Sequence, residues 1–164
     1  MKDIITANVL NLNKLLELLS NLSESDYRNY SVLPYKSSIG NHTRHILDFY
    51  SCILEYDTQI DLTYRNRDCL SNFDISFARN RLTDTIKKIN AVKLGEDFLI
   101  NVYDDLGFGK TKVSYTYSSL LAYANSHTTH HYASIAYLLQ QVNPNNDFLD
   151  ATFGINTNAL HTLK

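Results

Sequence analysis

The sequence has no tryptophan, one methionine, two cysteines, two prolines and five glycines among its 164 residues. Two cysteines, Cys52 and Cys69, in a chain long enough to bury a core supply no disulfide framework, and they read as reduced thiols of a reducing compartment. Long apolar runs are missing as well. No stretch approaches the roughly 18 residues of a spanning helix, and Met1-Lys2-Asp3-Ile4-Ile5 leads into polar Thr6 and Asn8 rather than into a signal-peptide core. The expectation is a cytoplasmic protein with no membrane contact. Neither sign of charge is in excess: fifteen Lys and Arg against seventeen Asp and Glu leave a formal charge of −2. Nothing is then available to displace phosphate counterions, which excludes nucleic acid as a general partner. Hydrophobic residues at 44% and charged residues at 20% match globular averages and exclude disordered, collagen-like and coiled-coil readings. At roughly 100–200 residues per domain, residues 1–164 read as one domain.

What is present is helical periodicity. Leu10, Leu12, Leu15, Leu16, Leu18, Leu19 and Leu22 recur at three- and four-residue spacing and predict a first amphipathic helix over about 3–22. Pro34 biases Leu33 away from helix, and Ser37-Ser38 supply capping hydroxyls for a second helix over about 37–57, marked by Ile39, Ile46, Phe49, Tyr50, Ile53 and Tyr56. Ser71 or Asn72 caps a third, with the stripe Ile75, Ala78, Leu82, Ile86 and Ile89 and with Gly95 beyond its end as a candidate left-handed cap. The period then changes to two. Phe98 to Val102 and Lys112 to Tyr117 alternate about the turn residues Asp104-Asp105-Leu106-Gly107-Phe108-Gly109, which predicts a β-hairpin. Ser118 or Ser119 caps a fourth helix running to about Gln141, with Leu120, Ala124, His127, His131, Ile135 and Leu138 inward. The tail keeps Phe148, Leu149, Phe153, Ile155 and Leu160, enough apolar surface to lie along the helices. The fold class expected is all-α: a four-helix bundle with long crossover connections, plus a small β-hairpin between helices three and four.

Five of the six histidines fall in two clusters, His42-Thr43-Arg44-His45 on the second predicted helix and His127-Thr128-Thr129-His130-His131 on the fourth. His127 and His131 are four apart, so both imidazoles leave one face a turn apart and can share one metal ion. Two imidazoles inside an apolar stripe form either a hydrogen-bonded polar core or a metal site. A third ligand has to come from another helix, and only the second helix carries histidines. A wheel on Ile39, Ile46, Phe49 and Ile53 puts His42 near the centre of the buried face and His45 on its flank, and so chooses His42. His130 lies about 80° from the inward centre of its helix and reads as a flanking residue.

Ser37-Ser38-Ile39-Gly40-Asn41-His42-Thr43-Arg44-His45-Ile46-Leu47-Asp48-Phe49-Tyr50 resembles the second-helix motif of the DinB-like (damage-inducible protein B, YfiT-type) four-helix bundles, in which a serine-capped start precedes a metal-binding histidine by seven residues. Counted from Ser38, that residue is His45. Ser126-His127-Thr128-Thr129-His130-His131-Tyr132 resembles the family's late H-x-x-x-H pair, His127 and His131, and the Arg65-Asn66-Arg67-Asp68 loop and Phe153-Gly154-Ile155 are similar to a subgroup of it. The chain departs from the family in having no tryptophan where Ser37 stands and in placing His42 at a position usually apolar. Wheel and motif therefore disagree about the third ligand; the motif is followed, and His42 becomes a fourth ligand or an outer partner of one. Asp48, three residues after His45, is a candidate acceptor for its imidazole N–H.

Three neutral imidazoles leave a divalent metal an open position, as in catalytic sites. Zinc and nickel both suit nitrogen donors. The resemblance implies a metal-dependent thiol transferase or hydrolase acting on a small-molecule substrate, with a low-molecular-weight thiol as one candidate, and Tyr132, Arg65 and Arg67 as candidates to orient an anionic group. The rival reading is a non-catalytic metal-binding or stress-response module whose histidines stabilise the bundle. Tyr-rich helix faces leave surface for a homodimer.

Overall fold

The leucine stripe of the N-terminal segment becomes α1 (Lys2–Asn21), which buries Ile5, Asn8, Leu12, Leu15, Leu18 and Leu19 along one face. The computed structural model describes residues 1–34, 36–55, 59–64, 70–92, 95 and 97–156. Polar Ser23 ends one helix and starts another, because its hydroxyl accepts from the Asp26 N–H and caps the short α2 (Glu24–Arg28). Ser38 caps α3 (Ile39–Leu54) through the Asn41 N–H at 3.1 Å. The two-residue β1 (Ile60–Asp61) follows. Ser71, expected to cap the third long helix, instead lies buried inside α4 (Leu70–Phe73), and Asp74 caps α5 (Ile75–Asn90) by accepting from the Phe77 N–H at 2.8 Å. An acidic side chain there also faces the positive end of the helix dipole, which favours it over serine. Gly95 is not the cap of α5. The helix closes on Ala91, whose N–H reaches the Lys87 and Lys88 carbonyls, and Gly95 does not take a positive φ.

The hairpin forms as β2 (Leu99–Asp105) and β3 (Lys110–Thr116), antiparallel from Leu99 against Thr116 to Asp105 against Lys110. Asp105 closes its turn by accepting from the Gly107 and Gly109 N–H groups, and both glycines take positive φ, 97° and 93°. β1 pairs in parallel with β2, giving the sheet order β1-β2-β3 and making the fold mostly helical rather than all-α. One face of this small sheet, Ile60, Ile100 and Val102, joins the core. Thr116, the last residue of β3, caps the 26-residue α6 (Tyr117–Val142), so the cap falls two residues before the expected serines.

Among the described residues there are thus six helices and three strands. α1 packs on α5 and α6, and α3 packs on the same two. At about 1.5–3 kcal/mol for each buried Leu or Ile side chain, this four-way contact is the main source of stability. It is pinned by a polar group at its centre: the Tyr50 hydroxyl of α3 donates to Asn8 Oδ1 of α1 at 2.6 Å, and Asn8 Nδ2 donates to the Leu121 carbonyl of α6 at 3.2 Å. The tail follows the helices as expected where it is described, with Phe153 stacked on Tyr132 at 4.2 Å; Leu160 lies outside the described residues. Among the described residues no helix is long and apolar enough to cross a membrane.

Gly40 marks the tightest approach. A Cβ there would stand 2.2 Å from the Asn72 carbonyl oxygen of α4, so Gly40→Ala must push α3 and α4 apart. A loss of at least about 1–3 kcal/mol is expected, read as a lowered midpoint in urea. Tyr50→Phe, which strands the buried Asn8 oxygen, is expected to cost about 1–3 kcal/mol by the same measurement.

Candidate metal centre

α6 has two buried rows because it has two long neighbours. Leu121, Ala124, Thr128, Tyr132 and Ile135 are fully buried, and this row meets α1: Tyr132 donates from its hydroxyl to the Asn11 carbonyl at 2.7 Å, and Leu121 accepts from Asn8. His127 and His131 form the margin facing α3 and are only half-buried. The expectation that they sit at the centre of the apolar stripe is therefore corrected, since a single wheel averages two packing directions. The same holds on α3, where Thr43, Ile46, Tyr50 and Ile53 are buried and both His42 and His45 lie on the margin toward α6.

These two margins bring three imidazoles together. His45 Nε2 lies 3.0 Å from His127 Nε2, and His127 Nε2 lies 3.2 Å from His131 Nε2. One ligand atom from each of the three falls within 4.8 Å of the others, and among the described residues no carboxylate or thiol joins them. At a metal–nitrogen length of 2.0–2.1 Å, adjacent ligand nitrogens stand about 2.9 Å apart at right angles and about 3.3 Å apart at the tetrahedral angle. The observed separations fall in that interval, so His45, His127 and His131 are close enough to hold one metal ion.

His42 does not join the three converging nitrogens. Its Nδ1 lies 3.0 Å from Nδ1 of His131, on the far side of that ring from the cluster. His130 is exposed, with its ring edge-on to His131 at 5.4 Å. Burial holds the His131 imidazole far below its ordinary range, at about 2, and the neighbouring His45, His127, His42 and His130 add to the effect. His42 is lowered for the same reason, burial first and His130 second. Both rings are neutral at neutral pH, the state in which imidazole binds metal.

Asp48 does not reach His45. Three residues along a helix turn the side chain about 60° short of a full turn, and that face of α3 is covered by α5. The carboxylate, only 1% exposed, accepts from Arg44 Nη1 at 2.8 Å and from Arg81 of α5 at 3.3 Å. Burial pushes its pKa up, while the Arg81 and Arg44 charges oppose the push. Tyr132 is likewise removed from the site, being a core residue 1% exposed. Arg65 and Arg67 lie outside the described residues. Two neighbours that motif spacing did not single out wall the centre: Phe49 stacks on His127 at 4.5 Å, and Tyr123 meets Phe49 edge-on at 5.5 Å. Each is four residues from a site histidine on its own helix, so helical spacing carried the signal.

No protein-family model matches the chain, and neither a curated protein nor a solved structure matches it.

The metal-free protein is expected to lose stability as pH falls. His131 has a folded pKa below its unfolded value of about 6.5, so between the two the unfolded chain binds more protons. Stability is full above about 6.5 and declines below it, by at most about 1.4 kcal/mol per pH unit and by less where water reaches the ring. Urea unfolding at pH 7 and pH 5 measures this, and the drop should shrink in His131→Leu. Asp48→Asn tests the corrected role: it should destabilise the fold by on the order of 3 kcal/mol and leave the metal affinity of the folded protein unchanged.

Proposed function

We propose that the chain is a DinB-like four-helix bundle that binds one divalent transition metal, zinc or nickel, through His45, His127 and His131 and works as a metal-dependent enzyme of thiol-transferase or hydrolase type. The observation that carries this reading is the convergence of three Nε2 atoms from two helices, with separations of 3.0 and 3.2 Å that suit one coordination sphere. The closed packing of α1, α3, α5 and α6 and the capped helix start at Ser38, seven residues before His45, support the family assignment. A metal held there supplies Lewis acidity to a bound oxygen or sulfur.

The remaining work falls to the chain. Three neutral donors, with Asp48 turned away and engaged by arginines, leave the ion's positive charge uncompensated by any carboxylate among the described residues. Such a site favours an anionic group, a thiolate or hydroxide, over a neutral one. Phe49 and Tyr123 hold the His127 ring and keep water from that side.

Untagged protein isolated under metal-replete conditions should hold one transition metal per chain by elemental analysis. His127→Ala and His45→Ala should each weaken binding by more than about 100-fold, beyond the range typical of an outer partner. Absence of stoichiometric metal from the wild type would leave the cluster as a hydrogen-bonded polar core. A second reading has its own support: the ligands come from α3 and α6, so one ion would also staple two helices. Turnover with a panel of small thiols and electrophiles favours the enzyme. Tight metal without thiol affinity or turnover favours a structural or stress-response module.

A further inference from the structure

The sequence left His42 as rival or companion to His45, and its position decides what it can do. His131 directs its two ring nitrogens to different partners: Nε2 lies 3.2 Å from His127 Nε2, on the side of the converging cluster, and Nδ1 lies 3.0 Å from His42 Nδ1. A neutral imidazole has one N–H and one lone pair. If the Nε2 lone pair is to serve as a ligand, the proton must sit on Nδ1, and a half-buried Nδ1–H needs an acceptor. Among the described residues, the atom at hydrogen-bond distance from it is His42 Nδ1. That nitrogen can accept only if His42 carries its own proton on Nε2. One tautomer assignment therefore satisfies the whole line: His42 Nε2–H, His42 Nδ1 accepting from His131 Nδ1–H, and His131 Nε2 free to donate its lone pair.

Geometry also fixes what His42 is not. Its ring stands across the His131 ring from the cluster, with centroids 5.2 Å apart, whereas His45 approaches His131 to 4.4 Å and His127 to 5.1 Å. His42 also lines a cavity with Ser37, His130, Ala133, Ser134, Tyr137 and Leu138. A fourth coordination bond from His42 would need the His131 ring out of the way.

We propose that His42 is a positioning residue for the metal centre: it accepts from His131 Nδ1–H, locks His131 in the tautomer that presents Nε2, and binds no metal itself. In most histidine metal sites a carboxylate or carbonyl does this work; in this chain Asp48 is committed to two arginines and a second imidazole does it. The inference rests on the metal-site reading above, and the experiment separates the two.

Zn²⁺ affinity is measured by competition with a chromophoric chelator, and Co²⁺ absorption reports the ligand set, in wild type, His42→Leu and His42→Asn. The asparagine Oδ1 can stand close to the place of imidazole Nδ1 and accept the same hydrogen bond. Expected are a roughly 10–100-fold weaker affinity for His42→Leu with the wild-type Co²⁺ spectrum at saturation, and recovery to within a few-fold of wild type in His42→Asn. Nitrogen-15 spectra of the zinc form should show the Nδ1–H tautomer at His131. Wild-type affinity in His42→Leu overturns the positioning role while leaving the metal site standing. A changed Co²⁺ spectrum in both variants overturns it too, by making His42 a ligand. A wild type that binds no metal overturns both readings. Melting curves for the variants establish that each is folded before its affinity is read.

Discussion

The hydrogen bond from the buried Tyr50 hydroxyl to Asn8 ties the rest of the structure together. It joins α3 to α1, and through the Asn8 amide and the Leu121 carbonyl it reaches α6, all at positions closed to water. A polar pair in that setting tolerates no slip, because moving either helix by a residue strands a donor or an acceptor where no water can replace it. Apolar side chains alone would allow several registers at similar cost. Tyr50, five residues after His45, accepts from the Thr128 hydroxyl, one residue after His127, at 3.5 Å, so the register that satisfies Tyr50 also sets the two histidine margins level with each other.

Once level, the margins impose a chemical constraint. Three imidazole nitrogens at 3.0 and 3.2 Å cannot all present lone pairs to one another without repulsion, so the cluster calls for shared protons or a cation. Burial keeps the His131 ring in its neutral form, which either arrangement requires. The acidic side chain that would blunt a cation's charge, Asp48, is held on the face of α3 turned toward α5 by Arg44 and Arg81. That separation gives the protein a neutral donor set on one face of α3 and a charge network on another, one for the candidate chemistry and one for holding α3 to α5.

Much of this could be read from residue order, and the misses share one cause. The extent of α1, the Ser38 cap, the hairpin and the two histidine clusters follow from local rules of period, capping and turn chemistry. Ser71 and Gly95 were misassigned because an acidic cap three residues on, at Asp74, and a backbone closure at Ala91 met the same local needs sooner. β1 was missed because two residues have no period, and it exists only because β2 offers it an edge. The wheel chose His42 over His45 and centred the stripe of α6 on His127 and His131, since a wheel assumes one buried direction where α3 and α6 each have two long neighbours.

By itself the sequence determined which residues are available for chemistry: paired histidines at helical spacing on two helices, with near-neutral charge and apolar faces to bury them. Spacing of three and four along a helix is a covalent fact, independent of what packs against it. Only the tertiary structure decided that His45 rather than His42 joins the converging Nε2 atoms of His127 and His131, that Asp48 belongs to the arginines, and that Tyr132 is core. Those outcomes depend on the angle and register between helices whose contacting residues lie more than 30 positions apart in the chain, set by burial and by hydrogen bonds such as Tyr50 to Asn8 that no local pattern encodes.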